Sequence, residues 1–256
     1  MTAQQTPERP RDGGSPHRRG AGPLGRVFLA VVAVALVVPA AVGLGAGDDR
    51  EQGAATSAGA ETTTPPQTAA DRLAERRPDD PRALGDVDAP VVMIEWGDFL
   101  CGFCARFALE VEPHLIADYV ETGILRIEWR DLPFQGDDAW RAALVGRAAA
   151  EQEAFWELHE RLYTLGPGVV RRSLGEEDLR TLARALELDV ERFLADVDDP
   201  ELLAQVRTEA EQGRALGISG TPAFLIGDRP IVGAQSRTVF SDAIEQAAAD
   251  PGVTVP

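Results

Sequence analysis

The chain has 256 residues, 44% of them hydrophobic and 26% charged, which excludes a collagenous or wholly disordered polymer and leaves material for one sizeable core. Its formal charge is −17 and all 25 basic residues are arginine, a balance that argues against an extended nucleic-acid surface. Two cysteines and three scattered histidines are too few for a disulfide scaffold or a zinc site, so the cysteines point to chemistry.

Residues 1–47 carry a balance of +3 and the remainder −20, so a basic tail precedes an acidic body. After the tail, residues 1–26, the stretch Val27 to Gly47 holds no charge, which is long enough to cross roughly 30 Å of hydrocarbon as a helix. Arginines before it and Asp48, Asp49 and Glu51 after it place the N-terminus in the cytoplasm and the rest of the protein outside. A cleavable export signal ending near Val38-Pro39-Ala40 is the alternative, with a secreted product. Residues 48–77 contain no aromatic residue and a single large aliphatic, Leu73, which reads as a flexible linker with at most a transient helix near Asp71 to Arg77. The folded domain is then expected over 78–256.

Within that domain, Val91 to Trp96 is a short apolar run that suits a buried strand. A helix-periodic stretch from Cys101 to about Val120 follows, with a kink expected at Pro113. Ile124 to Trp129 alternates as a second strand, with Ile127 and Trp129 on one face and Arg126 and Glu128 on the other. Strand, helix, strand implies a crossover and a parallel pair. A helical insertion over about 137–217 comes next, with a capping box expected at Ser173 to Glu176 and a cap at Asp199 before Pro200. Strands at Ala223 to Ile226 and Ile231-Val232, joined by a turn, precede a last helix from about Ser236 to Ala248. The fold class is α/β, a βαβ half and a ββα half separated by the insertion.

The chemistry lies at Cys101-Gly102-Phe103-Cys104. Two cysteines three apart at a helix start can close a small disulfide ring that opens and re-forms. Unpaired backbone N–H groups and the helix dipole favour a thiolate at the first position, so Cys101 is the candidate nucleophile and Cys104, one turn further in, the resolving thiol. A stapling bond across so short a loop would remove little chain entropy, and a metal would need His114 and His159 to converge. Those two histidines read as helix-surface or packing residues. Glu95, an acid in an otherwise apolar strand, has two readings: a carboxylate at a strand end facing solvent, or a partly buried carboxyl that relays the proton of Cys104, with Arg126 as its partner.

The run Glu95-Trp96-Gly97-Asp98-Phe99-Leu100-Cys101-Gly102-Phe103-Cys104 after an apolar strand, with Gly220-Thr221-Pro222-Ala223-Phe224 before a late strand, resembles the DsbA-like thiol:disulfide oxidoreductases of the thioredoxin superfamily. The resemblance covers roughly residues 80–250 and implies a thioredoxin fold with the helical insertion between its halves. It implies that Pro222 is cis and faces the redox pair, that the backbone of Thr221 pairs with an extended substrate, and that an acid at Glu95 serves Cys104; Phe103, between the cysteines, is a further candidate for substrate binding. Strongly oxidising members carry Pro-His between the cysteines; Gly102-Phe103 departs from that pattern, since Phe103 cannot donate to the Cys101 sulfur.

The expected activity is disulfide donation to reduced or misoxidised exported proteins, with a membrane redox partner recycling the disulfide and no cofactor or metal beyond the Cys101–Cys104 pair. The same site could run as a reductase or isomerase. A non-catalytic peptide-binding or holdase module on the same scaffold is the reading from another class.

Overall fold

The computed structural model describes residues 68–249. The expected cytoplasmic tail, the charge-free segment 27–47 and most of the expected linker lie outside the described residues, among which no helix is long and apolar enough to cross a membrane.

A five-stranded sheet is flanked by helices. Strand β2 (Val91–Gly97) pairs in parallel with β3 (Leu125–Asp131), as the crossover pattern requires. The edge on the β3 side is a two-residue strand β1 (Ala83–Leu84), antiparallel and absent from the sequence reading. On the other side β2 pairs antiparallel with β4 (Ala223–Ile226), which forms a hairpin with β5 (Arg229–Val232), giving the order β1-β3-β2-β4-β5. Gly227, with φ of +57°, takes the first central position of the two-residue hairpin loop, a conformation that glycine adopts without strain. Pro230 sits inside β5, one residue earlier than the expected strand began.

The helix between β2 and β3 is broken in three, α2 (Gly102–Glu110), α3 (Glu112–Leu115) and a π-helical turn over Ile116–Val120. The break falls at Val111, next to Pro113, which cannot supply a backbone donor. The insertion contains α4 (Asp137–Ala150), α5 (Phe155–Leu165), α6 (Pro167–Val170), α7 (Glu176–Ala185), α8 (Val190–Val197) and α9 (Pro200–Ala215), and α10 (Arg237–Ala248) closes the described chain. Asp199 caps α9 through the Glu201 N–H, as expected. The capping box at Ser173 does not form: Gly175 is the cap of α7 and supplies no side chain.

Core packing follows the strand alternation. Val91 and Met93 of β2 and Leu125 and Ile127 of β3 pack on Phe107, Phe224 and Phe240, while Val92, Ile94 and Trp96 face Leu132 and Ala210 of α9. A second cluster joins α2 to the insertion through Phe99, Trp129, Phe155 and Tyr163, with Phe99 stacked on Trp129 at 5.2 Å.

Two expectations are corrected. Arg126 is not free to partner Glu95: it and Glu128 are both buried on the face of β3 that the segment before β1 covers. Glu128 accepts from the backbone N–H groups of Glu75 and Arg76, and Arg126 donates to Glu128 and to the carbonyls of Arg77 and Gly85. For the same reason the folded unit starts before Pro78. Residues 68–77 include helix α1 (Ala69–Leu73), capped by Thr68, with the Ala70 N–H bonded to the Gly227 carbonyl.

The insertion is docked by buried charge. Arg82 makes a two-pronged contact to Glu209 of α9, and Arg147 of α4 lies 2.6 Å from Asp131 and 2.7 Å from Glu209.

Candidate active site

The approach to Cys101 is built by one carboxylate. Asp98, 3% exposed, accepts from the N–H groups of Leu100, Phe134 and Gln135, which folds the loop after β2 against the loop after β3. The Asp98 carbonyl takes the Cys101 N–H at 2.9 Å and the Tyr163 hydroxyl at 3.3 Å. Just before it, the Trp129 ring lies where a Gly97 side chain would stand, 2.0 Å from an ideal Cβ, so only glycine fits there.

Cys101 is the N-cap of α2, with extended φ and ψ, and its carbonyl accepts the first helical bond, from Ala105. The unpaired N–H groups of the first helical turn and the helix dipole therefore favour a thiolate at this position. Both cysteines are free thiols. The Cys104 thiol, the Thr221 side chain and the N–H groups of Cys104 and Phe103 bring the Cys101 pKa down to about 6, against the opposing effect of burial. Cys104 is fully buried, and burial first, then its bond to Cys101, pushes its pKa well above the usual thiol value.

Cys101 is recessed, with 5% of its surface open, so access to it is set by its neighbours. As a thiol its Sγ donates to the Thr221 carbonyl at 3.2 Å, and the Thr221-Pro222 peptide bond is cis. Phe103, 59% exposed, stands beside the pair with the Arg106 guanidinium 5.3 Å over its ring, and Arg106 is in turn bonded to the Ala234 carbonyl. Cys101 and the cis Thr221-Pro222 bond therefore lie in contact, with Phe103 exposed beside them and Cys104 buried beneath.

Glu95 lies beneath. It is fully buried, neither oxygen has a protein hydrogen-bond partner, and burial first, then the charge of Glu112, raises its pKa well above the carboxylate range. When ionised it raises the Cys104 pKa further, and its burial rules out a solvent-facing strand end. The expected partner is corrected: Arg126 lies on the opposite face of the sheet, bonded to Glu128.

Beside Glu95 lie Glu112, to which the sequence did not point, and His159, a packing residue as expected. Glu112 of α3 is 4% exposed with its pKa raised by burial, and the His159 ring lies 3.8 Å from it. His159 packs against Phe99, Trp129, Phe155, Trp156 and Tyr163, and burial lowers its pKa to about 3, so it is neutral. His114 is exposed on α3. Among the described residues no cluster of three or more histidine, cysteine, aspartate or glutamate side chains could hold a metal ion.

The family model described as "Thioredoxin" matches residues 78–246. The chain is 28% identical over 149 residues to a protein of Bacillus anthracis called probable disulfide bond formation protein D, covering 57% of this chain and 69% of that one. It is 32% identical over 172 residues to the Na(+)/H(+) antiporter NhaA 3 of Salinispora tropica, covering 66% of this chain but a quarter of that protein's length. Among solved structures it is similar to oxidised BdbD from Bacillus subtilis, with a TM-score of 0.61 and 22% identity over 72% of this chain and 97% of that one.

Proposed function

Since the chain belongs to the thioredoxin family and is a DsbA-like thiol:disulfide oxidoreductase whose redox group is its own cysteine pair, we propose that it donates disulfides to exported proteins outside the cytoplasm. One arrangement carries this reading: Cys101 caps the start of α2, where its neighbours bring its pKa down to about 6 and favour the thiolate at neutral pH, while its partner is held as a fully buried thiol. In the oxidised enzyme a substrate thiolate attacks Cys101 and the sulfur–sulfur bond breaks. Its electron pair passes to Cys104, which takes a proton from Glu95. A second substrate thiolate then attacks the substrate sulfur of the mixed disulfide and releases Cys101 as a thiolate. The ease of that departure favours oxidation of the substrate over reduction.

The opening between Phe103 and the Thr221-Pro222 loop receives an extended chain, with the Thr221 backbone as its pairing partner. The charge-free segment 27–47 holds the domain at the outer face of the membrane, where a membrane partner takes the two electrons left on the pair. Substituting Cys101→Ser should abolish oxidation of a reduced dithiol peptide; full activity in that variant would overturn the mechanism. Equilibration with glutathione buffers should place the potential between roughly −270 mV, the value for thioredoxin, and −120 mV, that of DsbA, because the pKa of Cys101 falls between theirs. A potential below that window would reverse the direction to reductase.

A further inference from the structure

Glu112 is not used by the exchange steps above, yet it lies at the floor of a cleft separate from the Thr221-Pro222 opening. The cleft, about 520 Å³, is lined by Leu84, Ala108, Leu109, Glu112, Trp156 and His159. Leu109 is 46% exposed, and Glu157 and Glu160, also at the cleft, are exposed. Ala108 is seven residues along α2 from Cys101, so the cleft lies about 10 Å along the helix axis from the nucleophile.

The polar groups on this side of the core are unpartnered in a consistent way. Glu112 Oε1, His159 Nε2, Trp156 Nε1 and both oxygens of Glu95 make no hydrogen bond to protein. Buried groups of this kind are satisfied by water in folded proteins, and the cleft is roomy enough to hold several molecules. The 3.8 Å between Glu112 and His159 is too long for a direct hydrogen bond. Among the described residues, the titratable groups around Glu95 and Glu112 are Cys104 from α2, Asp98 from the preceding loop, His159 and Tyr163 from α5, and, at the cleft, Glu157 and Glu160 from the same helix. No cation stands among them, so a proton on either carboxyl is held by the apolar surroundings and by repulsion between the two acids.

We infer that Glu112 is the solvent-side station of a proton path that runs from the rear cleft through Glu95 to Cys104, so that the resolving thiol exchanges its proton with water without using the face occupied by substrate. When the disulfide opens, Cys104 receives the electron pair and the proton of Glu95; Glu95 takes the proton of Glu112, and the Glu112 carboxylate is reprotonated from cleft water. On reoxidation the same proton leaves by the reverse route. Glu112 touches neither sulfur, so it is a positioning residue acting through Glu95. The inference rests on the cysteine chemistry proposed above but not on its physiological direction.

The test is single-turnover reduction of the oxidised full chain by dithiothreitol at pH 6 to 9, a reaction any working pair undergoes whether or not exported proteins are its substrates. Glu112→Gln keeps the shape and should slow the step about tenfold at pH 6, with the deficit shrinking as pH rises and the wild-type carboxyl itself ionises. Glu95→Gln should slow it more, and Glu95→Gln/Glu112→Gln should be no slower than Glu95→Gln alone, because serial stations do not multiply. Ala108→Leu, which fills the cleft without altering any titratable group, should also slow the step, and it serves if Glu112→Gln fails to fold. Wild-type rates in both Glu112→Gln and Ala108→Leu, or factors that multiply in the double variant, would overturn the path. Failure of the wild type to oxidise a peptide while these rates hold would sink the proposed function alone.

Discussion

Two sulfur atoms one helical turn apart are held in opposite states by their surroundings. Cys101 meets donors, and Cys104 meets apolar side chains and a buried acid. Iodoacetamide should therefore label Cys101 with a half-maximal rate near pH 6, and leave Cys104 unlabelled in the native protein at that pH. An ordinary thiol titration would favour the binding-module reading instead. This asymmetry was legible from spacing alone, because a helix start imposes it on whatever residue sits there. The neighbourhood of the cis-proline was legible only through the resemblance, since nothing local to Thr221-Pro222 announces a cis bond. Glu112 was hidden for a physical reason: a glutamate on a helix reads as solvent-facing unless its place on the stripe of Phe107, Val111 and Leu115 is followed across the break at Val111. Asp98 stood inside the quoted motif, but its three N–H partners come from two loops that only the folded chain brings together.

At the scale of elements, position is set by close approach and by charge. Gly97→Ala would drive a methyl group into the Trp129 ring and should cost about 1–3 kcal/mol in urea unfolding, with loss of exchange rate as the loop to Cys101 shifts. Glu209→Ala would leave Arg82 and Arg147 buried without their shared carboxylate, a loss of about 3–5 kcal/mol read from the same experiment. A loss near zero would show that the network relaxes into water. The strands and helices carrying hydrophobic periodicity were readable in order and type. Strand β1 was not, because two residues carry no period, and the burial of Arg126 and Glu128 was not, because the cover comes from a segment too polar to look folded.

For the whole molecule, the same polar segment sets the boundary. A chain beginning at Pro78 loses the backbone donors of Glu75 and Arg76 to the buried Glu128, and should unfold at lower urea than one beginning at Thr68. Stability should also respond to pH through the buried cluster. His159 refuses a proton that the unfolded chain accepts below about 6.5, so its contribution is lost as pH falls from there toward about 3. Glu95 and Glu112 act in the other sense: their raised pKa values contribute stability that is lost as pH climbs from the usual carboxylate range through their folded values. Glu112→Gln should therefore gain on the wild type between pH 5 and pH 8, by up to about 1.4 kcal/mol per pH unit, in paired unfolding titrations.

The sheet ends in one strand of two residues and another interrupted by Pro230. Margins this short, or lacking a backbone donor, are poor templates for recruiting a further chain. A fold with such edges is thereby shielded from growing fibrils by edge-to-edge addition of strands.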